Sequence, residues 1–463
     1  MKPIRERIGR LSSFTAGVAL TATLMSSVAF AESLVEALAS AYENNPTLLA
    51  ERASLRATDE GVASALSGWR PTVQIDGDVG FSETETTSVT SGLAATTSDS
   101  LQPRSLSLSI IEPLYRGGRT EAETRSAENL VDAGRAGLAV TEQRVLLDGV
   151  TAYMDVLRNN TVVRLNRNNE HVVKRQLQAA RDRFEVGEVT RTDVAQAEAR
   201  VAQAKADRIG AEGNLISSRA TYRQIIGDLP GKLEWPARIG GVPANERDAL
   251  QAASTANPTI VSANFAELSA RHDIEAVTSG LLPQVSLRGA YDWSYDVSAF
   301  TEELDTLSLS AIVTVPLYQS GAEHSAIRRS KQIASQRRLE YEEARRAVFE
   351  EVTRAWESLI TAQAKISAFQ VQVHAAELAL EGVEQETLVG LRTTLDVLDA
   401  EQEVFAARVN LVSAERDAVV SSYWVKATIG ELTAQALNLS VERYDADVHY
   451  RSVRDKWFGL SPD

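Results

Sequence analysis

Few side chains in this sequence are spaced for chemistry. The five histidines, His171, His272, His324, His374 and His449, fall at no metal-ligand spacing. No Walker-type phosphate loop and no Gly-x-Ser-x-Gly elbow occurs. Arg116-Gly117-Gly118-Arg119 has the composition of an anion loop, but it suits a turn from strand to helix equally well. Cysteine is absent, which excludes disulfides, thiolate metal sites and a lipidated cysteine. Asp396 and Asp399 stand one turn apart, so on a helix their carboxylates share a face. Taken alone, they read as solvated charges on a coiled coil. The pattern predicts a protein that is not an enzyme and binds no cofactor.

What those residues sit on is written twice. Asn45-Pro46 recurs as Asn257-Pro258, Gly68 as Gly280 and Pro71 as Pro283, at an offset of 212. Pro113-Leu114-Tyr115 then recurs as Pro316-Leu317-Tyr318 at an offset of 203, which also relates Gly187 to Gly390, Asp193 to Asp396 and Gly227 to Gly430. Each copy runs from a helical segment (33–66; 247–279) through a β segment into very long helices. No proline interrupts 114–229 or 317–461, and proline is costly inside a helix, so these stretches permit helices over 119–186, 190–227, 321–389 and 393–430. A helix of about 67 residues spans about 100 Å, which a rod or tube needs and a compact domain does not. Beyond each glycine runs a heptad seam of small residues, including Ala197, Ala204 and Ala211 in one copy and Ala400, Ala407 and Ala414 in the other. Such seams favour closely paired antiparallel helices.

The β segments alternate with period two, predicting strands at about 71–82, 104–113, 283–296 and 304–316. Val73, Ile75, Val79 and Phe81 oppose Gln74, Asp76 and Asp78, and Leu106, Leu108 and Ile110 oppose serines. Tyr291, Trp293 and Tyr295 lie on the apolar face of the third strand, where they suit an interfacial aromatic girdle in a lipid bilayer. The Ser/Thr-rich stretch 82–104 reads as a mobile external loop. Four strands cannot close a membrane barrel, and an open sheet edge is not tolerated in lipid, so a barrel requires several chains. Two, three or four copies satisfy that arithmetic.

Export fits this reading. Lys2, Arg5, Arg7 and Arg10, the apolar run 14–28 and Ala29-Phe30-Ala31 compose a cleavable signal peptide over 1–31. That leader carries +3, so without it the formal charge goes from −15 to −18. An acidic chain of this kind argues against nucleic acid as a partner. No later apolar run is long enough to span a bilayer as a helix. The organisation expected is a first repeat over 32–230, a linker over 231–246, a second repeat over 247–432 and a tail over 433–463.

With Asn-Pro near the start of each copy, Glu112-Pro113-Leu114-Tyr115-Arg116-Gly117-Gly118 at a strand exit and Val389-Gly390-Leu391-Arg392-Thr393-Thr394-Leu395-Asp396-Val397-Leu398-Asp399, the chain resembles the TolC family of outer-membrane efflux and secretion channels. The resemblance implies a homotrimer, mainly α with membrane β, in which a periplasmic α-barrel tunnel continues a 12-stranded β-barrel. It implies docking to a periplasmic adaptor protein and to an inner-membrane transporter, ABC or proton-driven, that supplies the energy. It places Asp396 and Asp399 in acidic rings at the tunnel's periplasmic gate, where crowding should raise some carboxyl pKa values and favour cations. It assigns closed-state links to Arg392 and Asp193, beside Thr192, with a departure at Thr387, where a relative carries tyrosine. Val186, Gly187, Val389, Gly390 and Leu391 correspond to the tip that adaptors grip. The alternative is a periplasmic adaptor of the same type of export system, which also carries long helical hairpins but lacks barrel strands.

Overall fold

A computed structural model of the chain describes residues 32–237 and 239–461; the expected signal peptide lies outside the described residues. The first segment is not one helix. It breaks into α1 (Leu34–Asn44) and α2 (Pro46–Leu66), and its repeat breaks into α5 (Glu246–Ala256) and α6 (Pro258–Thr278). Asn45 and Asn257, each before a proline, take extended backbone and cap the helix that follows. The long helices are α3 (Arg119–Glu185) and α4 (Arg191–Ile226) in the first repeat, and α7 (Ala322–Leu388) and α8 (Thr394–Thr428) in the second. At 67 residues apiece, α3 and α7 are each about 100 Å long.

The Asn-Pro pairs splice one helix onto another. The Asn45 side chain accepts from Thr47 N at 2.9 Å and donates to Ile225 O at 2.9 Å, at the end of α4. Asn257 does the same between Thr259 N (2.9 Å) and Thr428 O (2.8 Å), at the end of α8. Orphan groups at two helix ends are thereby satisfied by one amide. Thus α4 continues into α2 and α8 into α6. Beside these run α3 and α7, so each chain offers four helical columns, with α3 packed on α4, α7 on α8 and α3 on α8. On α4 the residues buried in this packing include Ala197, Ala204, Ala211 and Ser218, seven apart, as a close-packed heptad seam requires.

Six strands occur among the described residues: β1 (Thr72–Val79), β2 (Ser82–Thr90), β3 (Leu93–Leu101), β4 (Arg104–Tyr115), β5 (Gln284–Ser298) and β6 (Thr301–Thr314). β1, β4, β5 and β6 form an antiparallel sheet in the order β1-β4-β5-β6. The stretch expected to be a loop is instead the β2–β3 hairpin, turning at Ser91 and Gly92, both with positive φ. Such a two-residue turn matches strand twist, and the hairpin's threonines favour extended backbone.

The main hydrophobic cluster sits at the waist, where α1 packs on α3 and α4 and is joined by Leu432 at the end of the second repeat and by Ala434 and Leu439 of the tail. Tyr153 and Tyr222 are fully buried there. The Tyr153 hydroxyl accepts from Glu234 N at 3.1 Å and pins the linker to α3, while burial pushes it up to about 12. The tail also forms α9 (Ala446–Val453), a strap along α2.

Candidate functional site

Two regions concentrate the residues singled out above: the hairpin tips far from the sheet, and the sheet itself. At each tip a long helix ends in a glycine with φ near +80°, Gly187 (+79°) and Gly390 (+78°). A β-carbon would be strained there, and the turn lets Glu188 N reach Arg183 O (2.9 Å) and Leu391 N reach Glu386 O (2.9 Å). The next helix starts at a threonine. Thr190 and Asp193 form a capping box on α4, and Thr393 and Asp396 form its repeat on α8. In both boxes the carboxylate accepts from the threonine N–H and hydroxyl, each at 2.8 Å.

These caps give two of the acidic residues a local task. Hydrogen bonds from Thr393 hold the Asp396 carboxyl below its usual range, and Arg392 adds to this. Within one chain the direction is therefore opposite to the rise expected from crowding. Asp399, one turn further on the exposed surface of α8, forms an ion pair with Arg200 of α4 at 2.5 Å. Arg392 is held by Glu386 of α7 at 2.8 Å, not by Asp193, which is occupied by its cap. Thr192 is exposed on the first turn of α4, and the Thr387 hydroxyl donates back to Val383 O at 2.7 Å. Val186, Val389 and Leu391 are each more than 70% exposed, which leaves an apolar tip in water.

Arg200 and Glu386 were not singled out from the sequence. Arg200 immediately precedes the seam residue Val201, at the g position where interhelical ion pairs form, so the heptad register carried a signal for it. Glu386 carried none.

The sheet sorts its side chains into two faces by register. On one face Val73, Ile110, Gly289 and Leu309 lie side by side, and the next row is Ile75, Leu108, Tyr291 and Leu307. Toward the β5–β6 turn follow Gly77, Leu106, Trp293 and Asp305, then Val79, Arg104, Tyr295 and Glu303. An apolar band thus gives way to a charged rim, with aromatics at the boundary. Tyr291 donates to Asp305 (2.6 Å), Trp293 to Glu303 (2.7 Å) and Tyr295 to Glu302 (2.9 Å). An aromatic side chain that is apolar along its body and hydrogen-bonded at its end suits the lipid–water boundary. The opposite face carries Gln74, Asp76 and Asp78 beside Ser109, Ser107 and Ser105, and Ser107 donates to Asp292 at 2.5 Å. Lipid on one face and water on the other is what this division supports.

Among the described residues no helix is long and apolar enough to cross a membrane, and no three histidine or carboxylate side chains converge as metal ligands would.

The sequence profile of the outer membrane efflux protein family matches residues 37–228 and 249–431, one match per repeat. The chain is 36% identical over 452 residues to the outer membrane efflux protein BepC of Brucella suis biovar 1, covering 97% of this chain and 96% of that protein. It is 30% identical over 422 residues to the outer membrane protein TolC of Vibrio cholerae, covering 89% and 93% of the two chains. In structure it resembles the Campylobacter jejuni CmeC outer membrane channel, with a TM-score of 0.75 at 15% identity, over 91% of this chain and 89% of that one.

Proposed function

The chain belongs to the outer membrane efflux protein family, and on that premise we propose that three copies build one duct leading from the periplasm through the outer membrane. The protein is an outer-membrane channel, and the reading as a periplasmic adaptor is set aside by the family match across both repeats. The open sheet is the observation that supports assembly. β1 and β6 are edge strands of a sheet with one apolar face, and unpaired backbone cannot stand in lipid. β1 of one copy beside β6 of the next continues the antiparallel order. Three copies then supply twelve strands for a barrel and twelve helical columns for a tunnel. Light scattering on the detergent-extracted protein should give the mass of three chains, and the same preparation should form pores in a planar bilayer. A monodisperse monomer without pores would overturn the assembly.

The tunnel's far end is its entrance. Asp396 and Asp399 from three copies would set six carboxylates around it, a ring that attracts cations. Val186, Gly187, Val389, Gly390 and Leu391 form the apolar surface offered to a periplasmic adaptor, through which an inner-membrane transporter supplies the energy. In the closed state Arg392 leaves Glu386 for Asp193 of the neighbouring copy. Replacing Arg392 with alanine should then raise single-channel conductance several-fold, because a charge-assisted link between copies is lost. Glu386→Gln, which frees Arg392 for the neighbour, should not raise it. Equal conductance gains in both variants would show that Arg392 acts within its own chain.

A further inference from the structure

The strap ends in an apolar tip that neither the helices nor the sheet of its own chain cover. Its fastening is extensive. Arg135 of α3 pairs with Asp447 and lies 5.2 Å from the Tyr450 ring, His449 Nδ1 sits 2.9 Å from buried Asp59 of α2, and Arg454 reaches Glu128 at 3.3 Å. Beyond α9 the chain is caught by Arg70, whose guanidinium donates to Lys456 O at 2.8 Å and stacks 5.0 Å over the Trp457 ring. Arg70 is two residues before β1. Lys456 and Trp457 are therefore tied to the base of the sheet, next to where its apolar face begins at Val73, and Lys456 Nζ donates to Ser461 O at 3.0 Å.

What is held there is unlike the rest of the strap. Trp457, Phe458 and Leu460 are 58%, 86% and 104% exposed, and Trp69, next to Arg70, is 42% exposed. The basic groups Arg70 and Lys456 adjoin them, while the acidic neighbour Asp455 pairs with Arg454. Large apolar groups with cations beside them, fixed at the periplasmic edge of a membrane sheet, have the chemistry of an interfacial anchor.

We propose that residues 456–461 insert into the periplasmic leaflet of the outer membrane, with Trp457, Phe458 and Leu460 at the acyl boundary and Arg70 and Lys456 facing phospholipid phosphates. This rests on the outer-membrane reading, since continuity with the barrel's apolar band is what points to lipid. The anchor extends each copy's membrane contact beyond its strands and couples the strap, hence the waist, to the bilayer.

Because the chain has no cysteine, single labels are unambiguous. Phe458→Cys and Leu460→Cys, each carrying a nitroxide, are placed in the full-length protein in nanodiscs of phosphatidylethanolamine and phosphatidylglycerol. Collision rates are then measured with oxygen, which partitions into lipid, and with a nickel chelate, which does not. Val448→Cys on the exposed side of α9 serves as the water control and Leu307→Cys on β6 as the lipid control. Both tip labels should collide with nickel at least about fivefold less than the Val448 label while remaining open to oxygen, as lipid insertion requires. Nickel access equal to that of Val448 would overturn the anchor. Exclusion of both reagents would also overturn it, showing that protein covers the tip, whether a neighbouring copy or an adaptor. If the Leu307 label also reports water, the barrel assignment itself fails and the anchor fails with it.

Discussion

Alanine in place of Gly430 is expected to abolish recovery of the assembled channel, whereas alanine in place of Gly227, its counterpart in the first repeat, should leave most of it. Both glycines end a helix with positive φ, +83° at Gly430 and +106° at Gly227. A side chain at either is strained by the positive φ, at a cost of roughly 1–3 kcal/mol. Their surroundings differ. A β-carbon on Gly430 would lie 2.3 Å from Ala256 O and 2.8 Å from Ala256 C, where α5 runs into the Asn257 splice. On Gly227 the nearest atom is Asn44 Cβ at 3.8 Å, ordinary contact. Backbone cannot yield as a flexible side chain can, so relief at Gly430 must move Ala256 and break the buried Asn257–Thr428 hydrogen bond. Leaving those groups unpaired adds roughly 1–3 kcal/mol, which with the strain and overlap reaches the range of about 4 kcal/mol or more seen for severe substitutions. The measurement is the yield and melting temperature of detergent-extracted oligomer for the two variants. Equal losses would show that backbone strain alone governs both sites.

The same splice shows where the sequence stops being legible. The long helices were readable because two long proline-free stretches each contain a glycine at the turn, and positive φ selects glycine at Gly187 and Gly390. The strands β1, β4, β5 and β6 were readable because one face is apolar and the other polar. The break at Asn45-Pro46 was not, since proline is tolerated in a helix's first turn and the apolar pattern runs on through it. Its purpose depends on Ile225 O, 180 positions away. The β2–β3 hairpin was missed because its exposed serines and threonines carry no burial signal, although Ser91-Gly92 marks the turn. The strap was opaque for a third reason. Its aromatics Tyr444, Tyr450 and Trp457 are met by Arg52, Arg135 and Arg70, each hundreds of positions distant. At the tip, spacing put Asp396 and Asp399 on one face, but it did not show that one caps its own helix and the other pairs with Arg200.

That division of labour shapes the largest functional effect expected. Converting Asp396 and Asp399 together to asparagine should collapse the channel's cation preference and weaken block by multivalent cations at least about tenfold. Two charges per copy are removed, and each unit charge at about 4 Å contributes on the order of 1–4 kcal/mol between bulk water and a protein surface. Asparagine is the informative substitution because its amide oxygen can still accept from the Thr393 N–H, as the Asp396 carboxylate does, so α8 keeps its start at Thr393. Alanine would confound loss of charge with loss of the cap. Arg200→Gln should act in the opposite direction. The guanidinium 2.5 Å from Asp399 offsets part of the ring's charge, and its removal should sharpen cation selectivity and strengthen the block. Asp396 is depressed by the Thr393 hydrogen bonds, so its charge persists through the ordinary carboxylate range and is lost only as pH falls through the lower folded value. Cation selectivity in wild type should therefore outlast the pH at which an unrestrained carboxylate protonates. Selectivity that fades at milder acidity would mean that repulsion among the six crowded groups outweighs the caps. Reversal potentials in a salt gradient measure all of these cases, and a double asparagine variant that stays as cation-selective as wild type would place the entrance elsewhere on the tunnel.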